Sequence, residues 1–292
     1  MILERSILSR LALFSAIAGV NKDYLSIIKD QGEYGTCWAY STVSSVEMQY
    51  ASISGNRMKF SPWDTIVNTI IDYFDGKSQY PSCQQFSTNY FYSHYCAFEY
   101  LVNDKRHMIM EYNKKPSSIY VKSYNVFSGA NANIDTIVEL LKTGRPIVSV
   151  MRSATLQKLS DLSIIDKYYM DNETMSSIDH AVTVTGIGTI EGHDGIYLEV
   201  LNSWGESIGA EGLNYIKVAD SINGTLNRNF NILYYGIVFE LGDDEPVQSS
   251  NTGLIIAVVV LAVLLAVSIA IIVAIIVKNK KAEGFKHPEL IQ

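Results

Sequence analysis

The side chain with the clearest chemical potential is Cys37, which follows the segment Gln31-Gly-Glu-Tyr-Gly-Thr and precedes a run with helical spacing. A cysteine in the first turn of a helix is placed to act as a nucleophile, because the positive end of the helix dipole favours the thiolate. Gln31 stands six residues upstream and can offer its side-chain amide to an oxyanion beside the sulfur. The segment therefore predicts a cysteine nucleophile with an adjacent oxyanion donor.

Two residues in the second half of the chain could assist this cysteine. His180 begins an apolar strand pattern, and Asn202 ends the next one, directly before Ser203-Trp204-Gly205. A neighbouring imidazole can lower the thiol pKa and carry its proton. Asn202 would accept the proton of one ring nitrogen and so direct the other nitrogen towards the sulfur. Trp204 would cover that hydrogen bond and exclude water from it.

These motifs together resemble the papain-like cysteine peptidases of the C1 type. Cys37, His180 and Asn202 occur in the family's order, 143 and 22 residues apart, with Gln31 ahead of them. The similarity extends over about residues 22–240, and His180 begins a segment, His-Ala-Val-Thr-Val-Thr-Gly, that matches the family's histidine strand closely.

The resemblance implies a cysteine-type endopeptidase that acts on peptides or proteins without a cofactor or metal, and the uncharged residues 254–277 predict that it is anchored in a membrane. Gln31 and the backbone N–H of Cys37 would bind the oxyanion. Cys37 would attack the peptide carbonyl, His180 would protonate the leaving amine, and water would release the acyl group. Trp38 and Trp204 would support the site, and cystatin-like proteins would be inhibitors.

The chain departs from the family pattern at the substrate loop. Tyr34 stands where the family usually has a cysteine, and Gln84 and Gln85 replace two glycines expected after Cys83. These changes leave two alternatives open. One is a catalytically silent homologue that binds peptides or a partner protein. The other is a thiol transferase or ligase that uses an amine in place of water.

The order of the secondary-structure patterns predicts an α+β fold with a helical N-terminal half and an antiparallel β C-terminal half. A helix is expected from Cys37 onward, and Ser61-Pro62-Trp63-Asp64 has the cap and first-turn residues of a second. Further helices are predicted at about 95–103 and 134–142, and strands at 146–150, 180–186, 196–200, 214–218 and 233–239. Residues 21–241 form the predicted peptidase domain, with the cleft between its two halves.

Both ends of the chain carry targeting signals. Residues 1–20 are interpreted as a signal peptide or as the remnant of a longer N-terminal segment. After a linker at 242–253, the 24 uncharged residues 254–277 predict a transmembrane helix. Lysines in the tail 278–292 place that tail in the cytosol, so the peptidase domain would lie in a lumen (lysosome or vacuole) or at the cell surface.

Composition and short motifs add a few constraints. The formal net charge of −7, without a basic block in the globular part, argues against nucleic-acid binding. The chain has three cysteines, of which Cys37 is expected to be free. Cys83 and Cys96 are a candidate disulfide, but the sequence leaves open whether they pair. Asn172 and Asn223 begin glycosylation motifs that suit a lumenal domain.

Overall fold

A computed structural model describes residues 14–67, 93–158, 163–168, 178–227 and 229–244. The chain divides after Pro246 into two units, and all of the described residues belong to the first. Within them, no helix is both long and apolar enough to cross a membrane. The predictions for residues 1–13, Cys83, Asn172, most of the linker, the span 254–277 and the tail fall outside the described residues.

Four α-helices occur in the described parts of the chain. They are α1 (Cys37–Ser54), α2 (Ser93–Asn103), α3 (Ile134–Lys142) and α4 (Ser153–Lys158). The predicted helix after Ser61 begins instead as a single π-helical turn at Trp63–Val67, the last described residues of that segment. Its start is capped as predicted, since the backbone N–H of Asp64 donates to the Ser61 hydroxyl at 3.2 Å.

In the described ranges, nine strands form one sheet. They are β1 (Phe14–Gly19), β2 (His107–Ile109), β3 (Pro116–Ser128), β4 (Ile147–Met151), β5 (Ile164–Ile165), β6 (His180–Ile190), β7 (His193–Leu201), β8 (Leu213–Ala219) and β9 (Tyr235–Asp243). The order across the sheet is β2-β3-β9-β4-β6-β7-β8-β5, and β1 pairs with β6. All pairs are antiparallel except β5 with β8, which confirms the antiparallel character of the second half.

The sheet also corrects the predicted division into halves. The strands β1, β2 and β3 lie in the part of the chain expected to be helical, and β1 falls within residues assigned to the N-terminal leader or remnant. Helix α4 lies in the part expected to be strands. The α+β class is confirmed, but both ends of the domain contribute strands to one sheet.

Two large apolar cores flank the position of the predicted cleft. The first joins α1 and α2 to β3, β4 and β9, and the second joins α3 to β4, β6, β7 and β8. Helix α1 packs on β6, where the Thr183 hydroxyl donates to the Ser41 carbonyl oxygen at 3.1 Å and contacts the Ser45 hydroxyl at 3.3 Å. This packing fixes the helix that begins at Cys37 against the strand that begins at His180.

The segment before Gln31 is tied to the same helix by a buried charge. Glu47 of α1 is 4% exposed and accepts hydrogen bonds from the Lys29 ammonium at 2.7 Å, the Ser26 hydroxyl and the Phe60 backbone N–H at 2.8 Å. A buried carboxylate needs such partners, because an unpaired charge in the interior is costly. The contacts hold the chain around Lys29 at the side of α1.

Candidate active site

Three of the four residues predicted to act together line one pocket of about 380 Å³. Cys37 and His180 line it from opposite elements, and Gln31 lies at its edge, whereas Asn202 is buried behind His180. The remaining lining residues are Gly32, Glu33, Tyr34, Gly35, Trp38, Ser153, Gln157, Ile178, Asp179 and Trp204. The pocket therefore brings together side chains that lie as many as 173 positions apart in the sequence, from Gln31 to Trp204.

Cys37 is the first residue of α1 and is 7% exposed. Its neighbours hold the turn in place, since the Trp38 indole N–H donates to the Gly35 carbonyl oxygen at 3.0 Å. The sequence predicted that the helix N-terminus favours the thiolate. Burial outweighs that effect and raises the pKa of Cys37 to about 11, while backbone hydrogen bonds at Ala181 and Trp38 act in the lowering direction. The resting thiol is therefore neutral.

A hydrogen bond joins the side chains of His180 and Asn202. The distance from His180 Nε2 to Asn202 Oδ1 is 2.9 Å, and the same oxygen accepts the backbone N–H of Ser203 at 2.8 Å. An amide oxygen can only accept, so Nε2 carries the ring proton and Nδ1 keeps a free lone pair. The Trp204 ring stacks on the imidazole, with centroids 4.5 Å apart and planes 23° apart. The indole therefore covers one face of the imidazole.

The protonation of His180 is governed by its burial. The residue is 4% exposed, and burial lowers the pKa of its imidazole to about 4, although the hydrogen bond to Asn202 and the charge of Asp179 act to raise it. At neutral pH the imidazole is therefore an unprotonated base, and the thiol that lines the same pocket is neutral. Such a pair can still move the thiol proton to Nδ1 at the moment of attack.

Gln31 is fixed at both ends of its side-chain amide. Its Oε1 accepts from the Ser203 hydroxyl at 2.6 Å, and its Nε2 donates to the Tyr34 carbonyl oxygen at 2.6 Å. The backbone joins the same two segments, because the Gln31 N–H donates to the Ser203 carbonyl oxygen at 2.9 Å. An amide nitrogen carries two hydrogens, so one remains for an oxyanion.

A family profile described as papain family cysteine protease matches residues 18–234. The chain belongs to the papain family of cysteine proteases. It is 28% identical to cathepsin K of Mus musculus over 192 residues, covering 65% of this chain and 56% of that protein. It is 27% identical to chymopapain of Carica papaya over 206 residues, covering 67% and 53%. The chain thus spans about half the length of these curated relatives.

A solved member of the papain family has the same fold. The structure of the bromelain protease from Ananas comosus in complex with the E64 inhibitor superposes with a TM-score of 0.53 at 19% sequence identity. The match covers 77% of this chain and 97% of the bromelain chain. This identity is low, so the comparison establishes the papain-like α+β fold alone.

Several residues in the pocket or next to it were not assigned from the sequence of this papain-family chain. Asp179 accepts the Ser153 backbone N–H at 2.6 Å and the Ser153 hydroxyl at 3.0 Å, which joins the start of α4 to the residue before His180. Ser203 orients both Gln31 and Asn202. Its position inside Asn-Ser-Trp-Gly was the available signal, since a hydroxyl beside a predicted site residue is placed to orient it.

The other predicted site residues have mixed outcomes. Cys37 is a free thiol, and Cys96 is disulfide-bonded. Cys83, the third cysteine of the sequence, lies outside the described residues, so the pairing stays a prediction. Asn223 lies exposed in a turn after β8, whereas Asn172 is not among the described residues. In the described part of the chain, no cluster of His, Cys, Asp and Glu could hold a metal ion.

Proposed function

We propose that this protein is a cysteine-type peptidase that hydrolyses peptide bonds with Cys37 as nucleophile, His180 as proton carrier, Asn202 as its orienting residue and Gln31 as oxyanion donor. The observation that carries the proposal is the buried hydrogen bond from His180 to Asn202, 2.9 Å long, in a pocket that also contains a free cysteine at a helix start. A histidine with only a structural role needs neither a free thiol nor the Gln31 amide donor in the same cleft.

The mechanism follows from the position of each proton. Asn202 keeps the proton of His180 on Nε2, so Nδ1 is the nitrogen that accepts the proton from Cys37 as sulfur attacks the peptide carbonyl. The carbonyl oxygen becomes an oxyanion, which the backbone N–H of Cys37 and the second amide hydrogen of Gln31 stabilise. Nδ1 then protonates the leaving amine, and water cleaves the thioester with His180 again acting as base.

A catalytically silent homologue is the second candidate, and one set of observations favours it. Burial holds the Cys37 thiol and the His180 imidazole neutral, and the Gln31 amide already donates to the Tyr34 carbonyl oxygen. A protein that only binds peptides would retain this resting arrangement. A peptidase must transfer the thiol proton when substrate fills the pocket.

We further propose a location for the activity. The uncharged residues 254–277, followed by lysines, support a single membrane span with its C-terminal tail in the cytosol. The peptidase domain then faces a lumen, such as a lysosome or vacuole, or the cell exterior, where cystatin-like proteins would be its inhibitors. Trypsin treatment of sealed vesicles tests this orientation. In vesicles that enclose the peptidase domain, trypsin is expected to remove a tag at the C-terminus and to leave the domain intact. A protected tag together with a digested domain would contradict the proposal.

The catalytic proposal is tested with the full chain in detergent. The measurement is cleavage of quenched fluorescent peptides, together with covalent labelling by a peptide-like epoxide, for the wild type and for Cys37→Ser. Turnover and labelling in the wild type, both lost in Cys37→Ser without a change in melting temperature, are expected. Turnover that survives in Cys37→Ser contradicts the assignment of the nucleophile.

Two further readouts separate the alternatives. Stable binding of peptides without turnover or labelling would make the silent homologue the better description. An added amine nucleophile, such as a short peptide with a free N-terminus, tests for transfer. Product in which the amine is joined to the acyl fragment, in excess over hydrolysis, would identify a transferase or ligase.

A further inference from the structure

The turn between β2 and β3, residues 110–115, presents an aromatic side chain to solvent. Tyr112 is 80% exposed, the largest exposed fraction among the large apolar side chains of the described residues. It is not among the residues that line the candidate active site. Single exposed apolar side chains are common on protein surfaces, so the inference depends on where this ring lies.

The turn holds the ring in a defined position. The Met110 backbone N–H donates to the Lys115 carbonyl oxygen at 2.9 Å, and the Lys114 N–H donates to the Met110 carbonyl oxygen at 3.0 Å. The Asn113 side-chain oxygen accepts the Lys115 backbone N–H at 3.0 Å. Tyr112 lies at the tip between these contacts. A side chain presented by an ordered turn loses less freedom when it binds a partner.

The described part of the domain ends at the same end of the sheet as this turn. Strand β9 runs antiparallel to β3, so its last residues lie beside the start of β3. The Asp244 backbone N–H donates to the Ser118 carbonyl oxygen at 3.0 Å, and the Asp244 carboxylate pairs with Lys105 at 2.6 Å. Ser118 follows Tyr112 by six positions, so their Cα atoms lie within about 22 Å of each other.

A short linker joins this point to the predicted membrane span. Nine residues, 245–253, separate Asp244 from Leu254, where the uncharged run begins. A chain of this length reaches at most about 35 Å, so the sheet end at Asp244 would stay within that distance of the bilayer. A short tether raises the effective concentration of a linked group to the millimolar range. The turn therefore needs only a weak affinity for lipid to be in contact with it.

The charges of the turn nearly cancel. Lys114 is paired with Asp64 at 2.9 Å. The two remaining charged side chains of the turn, Glu111 and Lys115, are exposed and of opposite sign. Tyrosine is enriched at membrane–water interfaces, because its ring is apolar and its hydroxyl group is polar. The balance of charge suits a zwitterionic headgroup layer, since an anionic surface selects clusters of basic residues.

We propose that the β2–β3 turn docks on the headgroup layer of the bilayer that carries residues 254–277, with the Tyr112 ring inserted between zwitterionic phospholipids such as phosphatidylcholine. This contact gives the domain a second attachment to the bilayer besides the linker. The inference rests on the membrane span proposed above. Burial of about a third of a tyrosine side chain corresponds to a change of about 10- to 30-fold in the ratio of docked to undocked protein.

The test uses the full chain in phosphatidylcholine vesicles that contain a lipid with a photoreactive diazirine near its headgroup. After illumination, mass spectrometry measures the yield of lipid adducts at residues 110–115 and at the turn 221–224, which follows β8 near the other end of the strand order. The wild type is expected to give a yield at 110–115 about 10-fold or more above that at 221–224. Tyr112→Ser is expected to lower the yield at 110–115 by about 10-fold.

Two matched variants serve as controls. Tyr112→Trp keeps an aromatic ring with a polar group and is expected to retain the yield at 110–115. Ile222→Ser removes a partly exposed apolar side chain from the comparison turn and is expected to leave the yield at 110–115 unchanged. A loss as large in Ile222→Ser as in Tyr112→Ser would overturn the proposal.

The lipid composition tests the kind of contact. Adding phosphatidylserine to the vesicles is expected to change the yield at 110–115 by less than about 2-fold, because the charges of the turn nearly cancel. An anionic surface attracts each unpaired lysine with a gain of about 5-fold. A rise of that size or more would show an electrostatic contact and overturn the inference of a zwitterionic one.

Flotation of the same vesicles on a density gradient separates the two levels of inference. A full chain that does not float with the vesicles would refute the proposed membrane span. A full chain that floats and gives equal adduct yields at the two turns would refute the docking inference alone. The same holds if a folded Tyr112→Ser keeps the wild-type yield, and the comparison of the two turns within the wild type needs no variant.

Discussion

Replacing Asn202 with alanine removes the acceptor that orients His180. Asn202 is 3% exposed, and its Oδ1 accepts both the His180 Nε2–H and the Ser203 backbone N–H. During catalysis the imidazole becomes charged, and a hydrogen bond to a charged group contributes about 1.5–3 kcal/mol. We therefore expect kcat/KM to fall by about 10- to 150-fold in Asn202→Ala. His180→Ala should lose more, because it removes the proton carrier itself.

The pH dependence gives this prediction a sign. The hydrogen bond to Asn202 raises the pKa of His180, so its loss in Asn202→Ala lowers that pKa further. Activity requires the unprotonated base and is lost as the pH falls through its pKa. The acid limb of the kcat/KM profile should consequently move to lower pH in Asn202→Ala.

Asn202→Asp is the matched control for the same position. Asn202 Nδ2 is buried without a hydrogen-bond partner among the described residues, so replacing it with oxygen breaks no contact seen there. The carboxylate keeps an acceptor for His180 and adds a negative charge that favours the imidazolium. The acid limb should therefore move to higher pH in Asn202→Asp, opposite to the alanine variant.

The assay is kcat/KM on one peptide from about pH 2.5 to pH 8, a range that reaches below the pKa of about 4 of His180, with the melting temperature recorded for each variant. Opposite shifts of the acid limb in the two variants would support the assigned role of Asn202. A folded Asn202→Ala with the wild-type rate, or identical acid limbs in both variants, would refute the reasoning from the hydrogen bond.

Three further predictions concern stability and water exclusion. Burial lowers the pKa of His180 from 6.5 to about 4, so the unfolded state binds more protons between these two pH values. The contribution of His180 to the free energy of unfolding is therefore complete above pH 6.5 and falls by about 3 kcal/mol as the pH is lowered to 4. Urea titrations at both pH values should find this loss in the wild type and not in His180→Gln. Trp204→Ala exposes the imidazole stacked beneath it and should lower kcat/KM about 5-fold, and an unchanged rate would contradict the covering role. Glu47→Ala leaves the buried Lys29 ammonium without its carboxylate partner and should destabilise the fold by about 3–5 kcal/mol. Lys29→Met should destabilise the fold by less than Glu47→Ala. Equal melting temperatures for both variants and the wild type would contradict this prediction.

Part of the fold is predictable because some elements have their whole apolar pattern within one segment of the chain. Strand β6 and helix α3 have regular apolar spacing within one segment, and α3 was predicted at its observed bounds, Ile134–Lys142. Strand β3 was missed because only its first half alternates, with Ile119 and Val121 buried, while its second half is largely exposed. Its partner β9 lies more than 100 positions away, so no local signal indicates the pairing.

Strand β1 illustrates a different ambiguity. A short apolar run near an N-terminus has the composition of a leader and also that of a strand, and residues 11–19 fit both. Only the pairing of Phe14–Gly19 with β6 distinguishes them for the described residues. The close approach of the two strands explains the glycine there, because a Cβ on Gly188 would lie 2.2 Å from the Ser15 carbonyl oxygen.

The candidate site was predictable in its residue types but not in its electrostatics. Gln31, Cys37, His180 and Asn202 follow from motifs, because each chemical role needs a particular side chain. The pKa of Cys37 does not, since the helix dipole is a local property and burial is a property of the whole fold. The sequence therefore predicted a lowered thiol pKa, and the packing of α1 against β6 raises it.

Tyr34 stands where the papain family usually has a cysteine, so the loop from Gln31 to Thr36 is held in another way. In this chain the loop is fixed by non-covalent contacts: Gln31 is bonded to the Ser203 hydroxyl and to the Tyr34 carbonyl oxygen, and the Gly205 backbone N–H donates to the Lys29 carbonyl oxygen at 3.1 Å. Each contact reaches the segment that follows Asn202 or closes the loop on itself. The position of the Gln31 amide, the proposed oxyanion donor, thus depends on the same segment that orients His180. A substitution at Ser203 should consequently impair both the oxyanion donor and the proton carrier, and Ser203→Ala should lower kcat more than it raises KM.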